Sequence, residues 1–203
     1  MAQYPNSLAG GGIWTLEKQR TFAMGQNWIS LNSNYDSIAS YTVGATNQGT
    51  ITFSSIPQTY KHLQIRAITR TNRASTYDAT MVYINGDTTQ TNYWWFNTQG
   101  TGTTASSSTF NYNGVDSLGL GNSTTSTYFA TEIIDILHYT NTNIKKSLRT
   151  ISGFSINGVS NSQVGFSSTF WNNTSAITSL AFYPNNTPFT WAQHTSFALY
   201  GIS

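Results

Sequence analysis

From residue 35 to the C-terminus the chain reads strand, turn, strand, and that repetition limits what it can fold into. Short β-rich runs occupy 38–43 and 50–53, followed by HLQIRAITR at 62–70, TMVYI at 80–84 and YWWF at 93–96. Longer runs follow at 128–137, 146–154, 163–171, 177–183 and 196–202. Asn85-Gly86-Asp87 and Asn141-Thr142-Asn143 are tight-turn signals between them. Within 62–70 the alternation of Leu63, Ile65 and Ala67 is strict, and Ile68 breaks it as a bulge would. The run YFATEIIDIL at 128–137 is the most apolar and reads as a central strand, whereas TQGTGTTASSS at 98–108 reads as an exposed loop. About nine or ten strands at near-regular spacing, without a propeller or solenoid repeat, predict an all-β, antiparallel β-sandwich of jelly-roll-like form.

Composition supports this class. Aromatic residues make up 14% of the 203 residues and charged residues only 8%, so the chain is polar through Thr, Ser, Asn and Gly rather than through charge. Disordered chains show the opposite balance. A net charge of +2 is too weak for the many phosphate contacts of non-specific nucleic-acid binding. A nearly uncharged surface suits a protein held in an ordered assembly. The sequence contains no cysteine, which removes disulfides, thiolate metal sites and thiol nucleophiles together. No apolar run is long enough to span a membrane, and no basic-then-apolar leader is visible at the N-terminus.

Residues 1–34 differ in texture from the sandwich region, 35–203. Pro5 and the Gly10-Gly11-Gly12 run favour extended backbone, and Thr15 can cap a short helix that Gly25 ends. Such a helix needs something to pack against. The segment therefore reads either as part of the domain's own core or as an anchoring arm that docks on another subunit through Trp14, Leu16, Phe22 and Trp28.

The sequence points to no catalytic residues. His62, His138 and His194 lack metal-ligand spacing, so no metal or other cofactor is expected. Glu132 and Asp135, three apart in a strand, fall on opposite faces. No nucleophile elbow, phosphate-binding loop or dinucleotide fingerprint occurs. Asp87 and the nearby Asp78 suit a turn better than a calcium loop, because the remaining acidic ligands are missing. Two basic clusters stand out: Arg66, Arg70 and Arg73, and Lys145, Lys146 and Arg149. Each reads as a solvated face, an ion pair with Asp135 or Glu132, or a contact with an acidic subunit. Trp94 and Trp95 point to opposite faces of one strand, where an outward ring could stack on a sugar or fill a subunit pocket and an inward one would join the core.

Several stretches resemble a β-sandwich module of tailed phages that infect marine or freshwater bacteria, cyanophages among them. They are GTITFSSIP at 49–57 with YKHLQIR at 60–66, TNRA at 71–74, INGD at 84–87 and SFALYGI at 196–202. GGIWTLE at 11–17 and IIDILHY at 133–139 fit the same picture, so the resemblance covers nearly the whole chain. It implies a non-enzymatic virion structural protein, made in the bacterial cytoplasm and then assembled, and it brings no active-site residues. The resulting expectation is a capsid decoration protein, a homotrimer docked on another virion protein by its arm. The alternative is a tail-fibre or receptor-binding protein that recognises a host surface glycan.

Overall fold

The computed structural model describes residues 35–112, 114–121, 127–156, 162–185 and 188–203. The anchoring arm and short helix expected from the sequence, with Trp14, Leu16, Phe22 and Trp28, fall outside these residues. Among them the structure is all-β, with no α-helix. Twelve strands run β1 (Asp36–Thr42), β2 (Ile51–Phe53), β3 (His62–Thr69), β4 (Tyr77–Ile84), β5 (Tyr93–Thr101), β6 (Ala105–Tyr112), β7 (Val115–Leu120), β8 (Ala130–Ile136), β9 (Lys146–Phe154), β10 (Gln163–Trp171), β11 (Leu180–Pro184) and β12 (Ser196–Ile202). They form an eight-stranded sheet, β1-β12-β3-β8-β9-β10-β5-β6, packed on a four-stranded sheet, β2-β11-β4-β7. All the strand pairings are antiparallel.

This is a jelly roll with two additions. Four strands of the large sheet, in the order β1-β12-β3-β8, and the small sheet, in the order β2-β11-β4-β7, are linked by a chain that winds between them as in a jelly roll. Hairpins β5–β6 and β9–β10 are inserted into that path and extend the large sheet beyond β8. The main core lies mostly between the original eight strands, with Tyr93 of β5, Leu148 of β9 and Trp171 of β10 added from the insertions. Leu63, Ile65, Ile134, Phe182, Trp191, Phe197 and Leu199 are buried in it. Ring centroids of Phe182 lie 5.6 Å from Phe53 and 4.6 Å from Phe197, and Trp191 packs 5.2 Å from Phe197.

Turns are fixed by side chains. Asn85 sits at φ 52° and Gly86 at φ 71°, the left-handed region that Asn and Gly tolerate. The Asp87 carboxylate accepts from Trp171 Nε1 (2.8 Å), Asn92 Nδ2 (2.9 Å) and the Thr89 N–H (2.9 Å), so it organises the turn. Lys146 is fully buried, and its ammonium donates to the carbonyls of Asn141 (2.5 Å), Ile144 (3.0 Å) and Thr174 (3.0 Å). Three donors meet three carbonyls, which satisfies a group that could not otherwise be enclosed.

Three readings of the sequence change. Residues 98–108 are not a loop: β5 and β6 run through them in register, leaving only the short turn between Thr101 and Ala105. Thr and Ser are compatible with a strand, so low complexity alone does not mark a loop. The bulge at Ile68 does not exist either, because β3 pairs continuously with both β12 and β8. Ile68 simply points outward and is 46% exposed. Finally, Arg70 does not share the outer face with Arg66. It lies past the end of β3, is 3% exposed and donates to the Tyr128 carbonyl at 3.1 Å.

Candidate interaction face

Strand register places side chains in rows that cross the large sheet, and one outward row is unusual. It runs Arg66, Ile133, Ile151, Phe166, Thr98 from β3 to β5. On one side of it lies the row Ile68, Thr131, Gly153, Val164, Gly100. On the other lies Gln64, Asp135, Arg149, Ser168, Phe96, with Trp94 two residues before Phe96 on the same face. Ile68, Ile133, Ile151, Val164, Phe166, Phe96 and Trp94 are therefore neighbours, directly across strands or diagonally. Each is between 38 and 60% exposed.

The inward side of the same strands is polar in part. Glu132 on β8, Thr150 and Ser152 on β9, Ser167 and Thr169 on β10 and Asn97 on β5 are all buried. In the middle of β10 the usual pattern is inverted, with Val164 and Phe166 toward solvent and Ser167 and Thr169 toward the interior, whereas β8, β9 and β5 carry apolar groups on both faces, Ile134, Leu148 and Trp95 inward and Ile133, Ile151 and Phe96 outward. Side chains in a strand alternate with period 2, so choosing one face for the ring of Phe166 also fixes the faces of Ser167 and Val164.

The outward face carries little unbalanced charge. Arg149 Nη2 pairs with Asp135 Oδ2 at 2.7 Å, and Asp135 also accepts from Gln64 at 2.7 Å. Arg66 donates to Gln64 Oε1 at 2.8 Å, with its guanidinium over the rings of Tyr35 and Tyr200 at 5.5 and 5.4 Å. Lys145 lies 5.5 Å over Phe170. Around these, Thr98, Ser107, Thr109 and Ser168 form a polar margin, and Gly100, Gly153, Thr131, Phe129 and Val164 line a trough beside Phe166.

The residues singled out from sequence separate. Trp94 is outward and 44% exposed, whereas Trp95 is inward, 8% exposed and stacked 5.7 Å from Phe110. Arg73 leaves the cluster to meet Asp78 Oδ1 at 3.6 Å and the Tyr77 carbonyl at 3.3 Å. Sequence reasoning misses the six stripe residues other than Trp94. The adjacent Ile133 and Ile134 in β8, which place apolar groups on both faces, are the signal that could have found them.

Three acids are enclosed between the sheets. Glu132 Oε1 accepts from Thr69 and from Thr80 (2.6 Å), while Asp78 accepts from Thr71 (2.7 Å) and the Ala79 N–H (2.9 Å). Glu132 Oε2 and Asp116 Oδ1 accept no hydrogen bond among the described residues. Burial pushes Asp116 up to about 8, with the nearby Glu132 adding to the shift, and pushes Glu132 up to about 7. At 4% and 2% exposure the two face the interior and not a cleft. Among the described residues, no three His, Asp or Glu side chains converge as metal ligands would.

His62 and His138 pack with ring centroids 4.7 Å apart, and His62 Nδ1 accepts the His138 N–H at 3.0 Å. No family model, curated protein or solved structure matches the chain.

Proposed function

We propose that this protein is a non-enzymatic structural subunit of a bacteriophage virion. The carrying observation is the contiguous apolar surface that β3, β8, β9, β10 and β5 turn outward. The largest apolar patch on a typical monomer is about 300–600 Å². Three of the stripe residues are large rings of about 150–250 Å² and the four aliphatic ones are smaller, so at about half exposure the seven together expose on the order of 500–600 Å². A surface of that size, with a polar margin and few free charges, has the anatomy of an interface. A jelly roll alone does not select a function. The sequence resemblance to phage sandwich modules supplies the virion context.

The test uses particles from a phage whose genome encodes the chain. Banded by density and analysed by mass spectrometry, they are expected to contain it at the copy number of a structural protein. Its absence from intact particles overturns the reading.

A second reading, a glycan-binding protein of the tail, is favoured by Trp94 and Phe96 standing exposed on the same face. Loss of glycan-array binding on Trp94→Ala, with Trp95 left in the core, would support it.

A further inference from the structure

We infer that the occupant of the apolar outer face is the same face of a second copy of this chain, related by a two-fold axis. This rests on the assembly reading and names the partner for its exposed surface. The area is right for such a contact. An apolar exposure on the order of 500–600 Å², with its polar margin added, approaches the roughly 800 Å² per partner of a standard protein interface.

Among the described residues, few other surfaces could cover the stripe. The remaining large exposed apolar groups among the described residues are Tyr35, Tyr41, Phe110, Leu137 and Ile144. None of these belongs to the rows of the stripe. A three-fold ring needs the stripe to fit a different surface on the next copy, whereas a two-fold contact uses one self-complementary surface twice. Among the described residues, the apolar surface of matching size is the stripe itself, so a two-fold pair fits this face better than the trimer expected from sequence.

The shape of the face agrees. A two-fold axis along the row Ile133, Ile151, Phe166 exchanges the two flanking rows between copies. It sets Phe96 of one copy over Gly100 of the other, and Arg149 over Gly153. Large groups then meet the glycine floor of the trough, and Ile151 meets its own counterpart on the axis. Sheets packed face to face stand about 10 Å apart, which such side chains fill.

Sedimentation of the full chain should give an even-numbered mass. The sequence has no cysteine, so Ile151→Cys supplies a single thiol. A short bismaleimide is expected to join Ile151→Cys chains into covalent dimers and to leave Thr52→Cys, on the small sheet, unjoined. Phe166→Lys should raise the dissociation constant on the order of 100-fold, as expected for a charge at the centre of an interface. Should that variant not fold, the Ile151→Cys crosslink decides alone. A monomeric or trimeric mass, or no Ile151→Cys dimer, overturns the inference. A monomer that loses glycan-array binding on Trp94→Ala overturns it in favour of a sugar platform. If copies stay monomeric yet band with particles, the pairing falls and the virion reading stands; if the chain also fails to band, both fall.

Discussion

The two ends of one buried row behave as different materials. From β12 to β5 it runs Leu199, Ile65, Ile134, Thr150, Ser167, Asn97, all paired across neighbouring strands. Every member is at most 7% exposed. The first three residues belong to the main core, and the last three do not. Burial is thus equal along the row while its energetic meaning changes. At the first end apolar area leaves water and stabilises; at the other, hydroxyls and an amide leave water and must be satisfied to break even. The sheet holds together at its far end through continuous ladders and side-chain bonds such as Ser152 Oγ to the Leu118 N–H at 3.1 Å.

The largest expected effect lies at the apolar end. Phe182 is fully buried against Phe53 and Phe197, and Trp191 donates to its carbonyl at 3.3 Å. Phe182→Ala should cost about 3–5 kcal/mol, read as a lower urea midpoint at unchanged slope. An equal loss from Asn97→Ala would erase the contrast between the two ends.

The boundary between the ends is where pH acts. Glu132 and Asp116 hold their protons more tightly in the folded chain, at about 7 and about 8, than in the unfolded one. Their contribution is therefore fully present below about pH 4, the unfolded carboxyl range, and is lost as pH rises through those folded values. The unfolding free energy should fall between about pH 4 and about pH 8. Glu132→Gln keeps an oxygen for Thr69 and Thr80 but cannot ionise, so its stability curve should be flatter over that range. A Gln variant with the wild-type slope would assign the effect elsewhere.

The sequence made most of the strands legible, because alternation and turn residues announce them, and β8 is indeed central in its sheet; β6, read in part as a loop, and β7 escaped it. It did not reveal which face of β9 or β10 is inner. In KSLRTISGF both sets are mixed: Leu148, Thr150 and Ser152 on one side, Ser147, Arg149 and Ile151 on the other. The choice follows from long-range pairing with β8 and from the turn that buries Lys146, and neither is local. Lys146 reads as one of three surface cations for the same reason: carbonyls at 141, 144 and 174 converge only after β9 and β10 are paired. Arg70 and Trp95 are ambiguous until a strand end and a face have been fixed.

The smallest effect carries a sign that separates the two ends most sharply. Thr169 is 1% exposed, and its hydroxyl has no hydrogen-bond partner among the described residues. Valine has nearly the same shape, so Thr169→Val removes a desolvated hydroxyl without opening a cavity. Replacing such a group by an apolar one is neutral or stabilising, by up to about 1 kcal/mol. The mirror change at the other end, Ile65→Thr, buries a new hydroxyl in an apolar core and removes apolar contact, at a cost of roughly 2 kcal/mol or more. Paired urea titrations of the two variants should move in opposite directions. Destabilisation by Thr169→Val would mean that its hydroxyl is bonded to enclosed water, and that the polar end of the row is a hydrated layer and not a dry one.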